Sequence, residues 1–377
     1  MKTKKIQSSI LRSLFLAILF IGVGNPSGYP QGFDAVKKNI FIIADNDGTE
    51  MFDMMAPFYL FSSTGEANVY LVAEHKSRIV VKRGLYVVPH FTFKEIDSLH
   101  MTADVMVIPN QSRGVRNQKK VTVNFIKRHY SGTNRILSVC DGSATVAATG
   151  LYDGKNLTTH SSDYAGLKKH FKKPNWVLGT TVTQSSNLFS TAGVANATEG
   201  SLTVINDLFG RKTMLRVMTG IHYPYSEIRM DHRNLVIDQN PIYLQLHKGQ
   251  MKRSEKVGVL LQNGISEFDL AAILDCYSRS FPSAIDTFIV GNSTVTSKYG
   301  LTLLATGVAT ANTSTELHVL MAEDISETEK DLFKNAQLIT YEHQNNQYII
   351  DVCLKRISAL YGNDFAGFVK LMLDYNN

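Results

Sequence analysis

The residue of this sequence best suited to covalent chemistry is Cys140, in the stretch RILSVCDGSATVAATG from Arg135 to Gly150. A β-rich apolar run ends at this cysteine, and a turn and a run of small, helix-like residues follow. A strand that enters a tight turn and then a helix points the turn side chain at the helix N-terminus. The unpaired N–H groups there stabilise a thiolate or a developing oxyanion, so the pattern predicts a nucleophile. On position alone, a buried strand-end cysteine is an equal alternative.

The elements that must position this cysteine alternate along the chain. Short β-rich runs, NIFIIA, NVYLVA, DVMVIP and RILSVC, are separated by helical patterns such as MFDMMAPFYLF and QKKVTVNFIKRHY. After the cysteine, we predict helices at SATVAATG, DYAGLKKHF and TEGSLTVINDLFG and a hairpin at TVTQSSNLFSTAG. Apolar strands that alternate with helices predict an α/β domain whose parallel sheet is covered on both faces. Ligands of such sheets bind at the carboxyl ends of the strands, where Cys140 lies.

The stretch VCDGSATVAATGLYDGKNLTTH resembles the ThiJ/PfpI superfamily, within the class I glutamine amidotransferase-like fold. Its members share a V-C-x-G-type elbow, a T-T-H stretch about twenty residues later and a T-S/A-G-G/V stretch beyond it. Cys140, His160 and STAGVANATEGSLTVINDLFG occupy these places in order. The resemblance covers most of residues 38–220 and part of 255–377, and it is nearest to isocyanide hydratases and the ligand domains of AraC-type regulators. It implies a flavodoxin-like parallel-sheet sandwich.

The resemblance also implies a role for each matched residue. Cys140 would be the nucleophile or an oxidisable thiol, and Asp53, which matches the acidic residue after the family's first strand, would hydrogen-bond its sulfur. Since a carboxylate and a thiolate repel each other, one of them should hold a proton, and Asp53 would be a proton donor or shuttle. His160 would orient the cysteine or accept its proton, with a structural histidine as the alternative. The backbone N–H of Asp141 would be one oxyanion donor.

Two positions depart from the family pattern. The stretch VIPNQS places Asn110 and Gln111 where the family carries a glycine pair that brings a second backbone donor to the site. Asp141 stands where the hydratase-like members prefer threonine, and its carboxylate would raise the pKa of Cys140. Both changes predict altered or lost catalysis in a pocket that is retained.

The chain also contains a weak internal repeat. NDGTEMFDMMAPFYLF around Asp53 resembles QNGISEFDLAAILDCY around Asp269, and the two aspartates are 216 positions apart. KRGLYVV and KYGLTLL match at the same offset, whereas later matches have smaller offsets. The second copy therefore lacks about sixty residues from its middle, including the elbow and the T-T-H stretch.

From this repeat we predict the domain organisation. A complete ThiJ/PfpI-like domain is expected at residues 36–225, a linker at 226–254 and a degenerate, shortened copy at 255–377. Because many relatives are homodimers, we expect the two copies to pack together as an internal pseudo-dimer.

The N-terminal segment MKTKKIQSSILRSLFLAILFIGVGNPSG predicts export. It has a basic start, a short apolar run and small residues, as a signal peptide at residues 1–28 would. The apolar run is shorter than the roughly 20 residues that span a bilayer, so an uncleaved anchor is the weaker alternative. The segment contains four basic residues, Lys2, Lys4, Lys5 and Arg12, and no acidic one, so it accounts for four units of the net charge of +6. The near-neutral remainder predicts no nucleic-acid partner, and the mature protein is expected to be periplasmic or secreted.

The rest of the sequence shows no motif of a disulfide scaffold, a metal site or a phosphate-binding site. The chain has three cysteines, too few for a disulfide scaffold, and we expect Cys276 and Cys353 to be buried in helices. No phosphate-binding glycine loop, no H-E-x-x-H and no zinc-site spacing is present, so neither a cofactor nor a metal is predicted.

Two functions fit these observations. The first is a cofactor-free, cysteine-dependent hydratase, hydrolase or glyoxalase-like lyase that acts on a small electrophile. The second is a non-catalytic protein that keeps the pocket for a small-molecule ligand or uses Cys140 as an oxidisable switch.

Overall fold

The computed structural model describes residues 34–375 except 83, 112–113, 115–116, 252, 311–313 and 342–345. The predicted signal segment, residues 1–28, lies outside the described residues. Within the described part of the chain, no helix is long and apolar enough to cross a membrane.

The elements follow in chain order. The strands are β1 Lys38–Ile43, β2 Ala67–Ala73, β3 Ile79–Val81, β4 Leu85–Val88, β5 Phe91–Thr92, β6 Val105–Ile108, β7 Arg135–Ser138, β8 Asn156–Leu157, β9 Asn175–Trp176, β10 Val182–Ser185, β11 Leu188–Thr191, β12 Lys256–Leu260, β13 Ala284–Phe288, β14 Val295–Thr296, β15 Thr302–Ala305, β16 Glu316–Val319 and β17 Gln337–Thr340. The helices are α1 Met51–Ser63, α2 Phe93–Ser98, α3 Lys120–His129, α4 Gly142–Thr149, α5 Tyr164–His170, α6 Ala197–Phe209, α7 Arg211–Gly220, α8 Pro241–His247, α9 Glu267–Ser278, α10 Glu327–Leu332, α11 Ile349–Tyr361 and α12 Asn363–Met372.

The first domain is built on a mostly parallel sheet with the strand order β10-β11-β7-β6-β1-β2-β5. All neighbours in it are parallel except β10, which pairs with β11 as the predicted antiparallel hairpin. The central strand β1 is buried from Ile40 to Ile43 because helices cover both faces of the sheet. The predicted α/β class is confirmed, and the carboxyl ends of β1, β6 and β7 meet at one edge.

A second, smaller α/β domain follows. Its sheet has the order β13-β12-β16-β17, and all of its neighbouring strands are parallel. Helices α9 and α11 each bury an apolar side, including Cys276 and Cys353, which are fully buried free thiols as predicted. The residues between the domains include α8, which begins with an Asn240 cap and Pro241. The position of the linker at 226–254 stays a prediction.

The two domains share both a sheet and a core. Strand β15 of the second domain pairs antiparallel with β4 of the first, in a sheet of order β14-β15-β4-β3. Helix α1 is buried from Met51 to Phe61 because it packs between the first sheet and α9. The rings of Phe52 and Phe268 meet edge to face with their centroids 5.2 Å apart. One continuous hydrophobic cluster therefore contains residues of both domains.

Candidate active site

Cys140 lies in the turn between β7 and α4 and has a φ of 53°. This left-handed conformation costs a non-glycine residue of the order of 1–3 kcal/mol, so the surrounding structure must impose it. The backbone N–H of Val139 continues the sheet by donating to Ile108 O at 3.0 Å, and Gly142 N–H donates back to Val139 O at 2.8 Å. The strand, turn and helix predicted around Cys140 are thus present.

Gly142 allows α4 to start this close to the sheet. A Cβ atom at this position would lie 2.0 Å from Ile108 O, a distance that no side chain can occupy. The next residue, Ser143, is fully buried and donates from Oγ to Thr159 Oγ1 at 2.8 Å. The helix N-terminus is therefore held directly under the cysteine.

The thiol of Cys140 is enclosed and neutral. The residue is 2% exposed, and this burial raises the pKa of the thiol well above its ordinary value. The carboxyl groups of Asp53, Asp141 and Glu50 raise the pKa further, whereas the nearby backbone N–H of Asp141 lowers it. The balance favours the protonated thiol, and the role of the Asp141 N–H as an oxyanion donor stays a prediction.

Asp53 occupies the first turn of α1 and is fully buried. Its Oδ2 accepts a hydrogen bond from Asn110 N–H at 3.1 Å, whereas its Oδ1 has no hydrogen-bond partner in the described part of the chain. Burial, followed by the charge of Glu50, raises the pKa of this carboxyl well above its ordinary value. The hydrogen bond expected between Asp53 and the sulfur is not formed, although the two groups lie close enough to affect each other's charge.

The departures at Asn110 and Gln111 change the backbone donors of the site. The N–H of Asn110 is engaged by Asp53, so it is not directed at a reacting atom. Gln111 is buried and donates from Nε2 to Ile43 O at 3.3 Å. Side chains therefore replace the close backbone approach that glycines would give, as the sequence predicted.

Asp141, the residue after the cysteine, lines a small cavity. Its Oδ1 accepts from Thr159 Oγ1 at 2.8 Å, and burial together with Asp163 raises its pKa well above the ordinary value. The cavity beside it has a volume of about 60 Å³, room for about two water molecules. It is lined by Asn110, Gln111, Gly114, Gln118, Asp141, Ala144, Asp163 and Leu167.

His160 is buried but makes no hydrogen bond to Cys140. Its Nδ1 accepts from Ser162 N–H at 3.2 Å, and its Nε2 lies 3.4 Å from Met372 O at the end of α12. These contacts correspond to the structural alternative for this histidine, and its role as an orienting or accepting group stays a prediction.

The C-terminal segment after α12 closes this side of the site, which sequence reasoning missed. Ser161 Oγ donates to Asp374 Oδ1 at 3.1 Å, and His232 Nε2 lies 3.2 Å from the same oxygen. A Cβ atom on Gly193 would lie 2.0 Å from Asp374 Cβ, so the glycine of STAGV makes room for the segment. The signal in the sequence is Asp374 itself, a carboxylate between the apolar residues of LMLDY.

The second domain supplies charged groups next to Asp53, which the sequence analysis also missed. Asp275 Oδ2 accepts from the backbone N–H of Phe52 at 3.1 Å. Arg279, which is 3% exposed, binds Asp275 and donates to Glu50 Oε1 at 2.8 Å. One buried guanidinium thus partly neutralises two of the carboxylates around the cysteine site. The signal was Asp275, a carboxylate within the apolar stretch LAAILDCY of α9, four residues before Arg279.

Metal chemistry has no support among the described residues. No group of three or more His, Cys, Asp or Glu side chains in them is arranged to hold a metal ion.

Comparison with known proteins identifies the first domain. Residues 37–206 match the DJ-1/PfpI family. An isonitrile hydratase from Pseudomonas putida is 26% identical over 175 residues, which are 46% of this chain and 74% of that protein. Protein dj-1beta from Drosophila melanogaster is 25% identical over 125 residues, which are 33% of this chain and 65% of that protein.

Solved structures of similar proteins were also found. The crystal structure of Drosophila melanogaster DJ-1beta matches with a TM-score of 0.45 and 21% identity. The matched region covers 50% of this chain and 100% of the DJ-1beta chain. A ThiJ/PfpI family protein from Pseudomonas syringae has a TM-score of 0.46 and 20% identity, with 60% and 93% covered. The match to the DJ-1/PfpI family, over residues 37–206, extends from β1 through the elbow into α6, so this part of the chain is similar to that family.

Proposed function

We propose that the Cys140 site is a hydratase-type centre that adds its thiol across a small electrophile and then releases the product with water. The observation that carries this proposal is Asp53 Oδ1, a fully buried carboxyl oxygen without a hydrogen-bond partner among the described residues, beside a cysteine held in a strained turn. Burial and the charge of Glu50 raise the pKa of Asp53 and so favour its protonated form. We therefore assign to the site a neutral acid next to a neutral thiol.

An isonitrile, the class named in the relative from Pseudomonas putida, suits this pair. The sulfur of Cys140 forms a C–S bond to the terminal carbon, that carbon takes the proton of Asp53, and the thiol proton passes to the Asp53 carboxylate. The product is a thioimidate. Water then adds to the same carbon, and the C–S bond breaks with return of a proton to sulfur. The net reaction converts an isonitrile and water into an N-substituted formamide.

The backbone donors favour this reaction over amide or ester hydrolysis. Acyl transfer develops an oxyanion that needs donors aimed at it. The N–H of Asn110, the second donor position, is engaged by Asp53 instead. The first step on an isonitrile develops no oxyanion, because the reacting carbon carries no oxygen.

The test is formamide production from methyl isonitrile, measured for the parent chain and matched variants. We expect turnover by the parent and a loss of about 100-fold or more in Cys140→Ser and in Asp53→Asn. Cys276→Ser, which changes a buried thiol that takes no part in the proposed chemistry, should retain the rate, and thermal unfolding checks that each variant folds. A parent rate no higher than that of Cys140→Ser would overturn the proposal.

A second function is favoured by a specific observation, the 2% exposure of Cys140 together with the raised pKa of its thiol. A redox switch needs an accessible thiolate, so an enclosed and protonated thiol does not suit that role. Both properties instead suit a ligand-binding protein whose cysteine site is a relic. Iodoacetamide alkylation against pH, with Cys276 and Cys353 replaced by alanine, should give a midpoint above the free-cysteine value of about 8.5. Asp53→Asn should lower that midpoint. A raised midpoint without isonitrile turnover would select the binding function.

We also infer that the second domain is a shortened copy of the first and packs on it as an internal dimer partner. Strand β15 pairs with β4 so that Leu303 faces Val87, a residue at the repeat offset of 216. Phe268 contacts Phe52, which is at the same offset. Contacts between equivalent residues are what a two-fold, isologous interface produces.

We also propose that the protein is exported. The basic and apolar N-terminal segment supports a secreted or periplasmic location, with an uncleaved anchor as the alternative. Fractionation of cells that express the whole chain tests this, and recovery of the protein in the cytoplasm at full length would contradict it.

A further inference from the structure

A second cavity, far larger than the space beside Asp141, lies at the carboxyl ends of β12, β16 and β17. Its volume is about 630 Å³, within the range of about 300–1,000 Å³ that small-molecule sites occupy. The first domain contributes Tyr59 and the end of α7 to its wall, and the second domain contributes the start of α9 and the residues after β16. Ligands of parallel sheets bind at this edge.

The cavity occupies the place that corresponds to the cysteine site. Asp269 lies in the first turn of α9, 216 positions after Asp53 in the first turn of α1. In the first domain, Cys140 and α4 follow β7 and fill this space. In the second domain, the next helix after β17 among the described residues is α11, which begins at Ile349. The loss of the elbow has therefore left room where the first domain has a closed site.

One wall of the cavity carries opposite charges. Lys298 is exposed at the rim, and its Nζ lies 3.4 Å from Tyr59 Oη and 5.4 Å from the centre of the same ring. In the described part of the chain, this ammonium has no carboxylate within ion-pair distance. Asp269 lies on the same wall, close enough to Tyr59 to act on its charge. The pKa of Tyr59 is raised to about 12, so its hydroxyl is a donor at neutral pH.

The rest of the lining contains polar and apolar side chains. The apolar ones are Ile221, Leu320, Met321, Ile349 and Val352, and Leu320 and Ile349 are largely buried. A ligand that uses both the charged groups and the apolar side chains has an ammonium group and a carboxylate on one end and a hydrocarbon group on the other.

We propose that this cavity binds a free α-amino acid with an apolar side chain, whose carboxylate contacts Lys298 and the Tyr59 hydroxyl while its ammonium group contacts Asp269. The cysteine site plays no part in this binding. The second domain is then a ligand-binding module that kept the edge of the ancestral sheet and lost its nucleophile.

Isothermal titration of the full chain with three matched compounds tests the proposal. L-Leucine carries both charged groups, 4-methylpentanoate lacks the ammonium group, and 3-methylbutylamine lacks the carboxylate. We expect binding of leucine and at least tenfold weaker binding of the other two. Lys298→Met and Asp269→Asn should each weaken leucine binding at least tenfold, whereas Cys140→Ser should leave it unchanged.

Two results would overturn the assignment. Absence of binding by leucine, isoleucine, valine, methionine and phenylalanine would show that the cavity does not take this class. Binding that survives in both Lys298→Met and Asp269→Asn, or that is lost in Cys140→Ser, would place the ligand elsewhere. Because the hydratase assay uses Cys140 and Asp53 and this titration uses Lys298 and Asp269, either proposal can fail without the other.

Discussion

Val87 and Leu303 lie directly opposite each other in the sheet that the two domains share, and they are 216 positions apart in the chain. The pairs on either side are reciprocal, since Thr302 faces Val88 and Leu304 faces Tyr86. A residue that pairs with its own counterpart lies on the axis of a two-fold arrangement. The axis that relates the two domains, as we propose them, passes through this pair.

This register predicts a specific cross-link. In a chain whose three native cysteines are replaced by alanine, Val87→Cys with Leu303→Cys should form a disulfide under mild oxidation. Opposed residues of an antiparallel pair have Cα atoms about 4.5–5.5 Å apart, within the range of about 4.4–6.8 Å that a disulfide needs. Val87→Cys with Ala305→Cys is the control, because these positions are two residues out of register. Equal cross-linking of both pairs, read by mass spectrometry after proteolysis, would contradict the register.

Arg279 should be among the residues most sensitive to substitution. Arg279→Met leaves Glu50 and Asp275 buried without their shared counter-charge, which costs about 3–5 kcal/mol in comparable pairs. Lys330→Met is the matched control, because Lys330 pairs with Glu327 at the surface and should cost less than about 1 kcal/mol. Urea unfolding followed by circular dichroism gives both free energies of unfolding.

The same variant has a second readout at the cysteine. Removal of Arg279 leaves the charge of Glu50, which raises the pKa of the Cys140 thiol, less compensated. The alkylation midpoint should therefore move to higher pH in Arg279→Met, and Lys330→Met should not move it. A midpoint unchanged by Arg279→Met would mean that the second domain has no electrostatic effect on the site.

The sequence was sufficient for the local parts of the site and insufficient for its distant parts. The elbow at Cys140 could be predicted because a strand, a small-residue turn and a helix are contiguous in the chain. The repeat offset likewise indicated that Asp53 and Asp269 are equivalent. The contacts of Arg279 with Glu50 and of Asp374 with Ser161 join residues more than 200 positions apart, and no periodicity within one sequence encodes such contacts.

Burial was the other property that the sequence did not reveal. The helix N-terminus at Cys140 suggested a stabilised thiolate, but enclosure of the thiol among Asp53, Asp141 and Glu50 reverses that effect. The chain position of Asp141 indicated one of these carboxyl groups, whereas Glu50 reaches the site only through the packing of α1. Motif and spacing thus located the elbow cysteine, whereas the protonation of its thiol depends on three-dimensional packing.

The elbow should fail if Gly142 gains a methyl group. Gly142→Ala places a Cβ atom 2.0 Å from Ile108 O, so α4 must move away from the sheet at a cost of about 1–3 kcal/mol or more. Gly166→Ala is the control, because Gly166 lies in α5 with nothing within 4 Å of its added Cβ, and it should stabilise the chain by up to about 1 kcal/mol. Thermal unfolding of both variants separates the two effects. A Gly142→Ala protein as stable as the parent would mean that α4 is not held against Ile108.

His90 predicts the acid sensitivity of the fold. Its half-buried ring stacks on Phe58, its Nδ1 accepts from Leu71 N–H at 2.9 Å, and loss of solvent around the ring lowers its pKa to about 4. The unfolded chain binds a proton at this histidine below pH about 6.5, whereas the folded chain does not until pH about 4. The contribution of neutral His90 to the free energy of unfolding is therefore fully present above pH about 6.5. It falls by about 3 kcal/mol as the pH drops from about 6.5 to about 4.

The measurement is the free energy of unfolding from pH 7 to 4 in the parent, in His90→Asn and in His170→Asn. The asparagine at position 90 can still accept from Leu71 N–H but does not titrate, so this variant should be less stable at pH 7 because ring packing is lost and should show a smaller decline toward pH 4. His170 is exposed, so His170→Asn should reproduce the slope of the parent. If His90→Asn keeps the full slope, the acid sensitivity arises from other buried groups and the neutral state assigned to His90 is wrong.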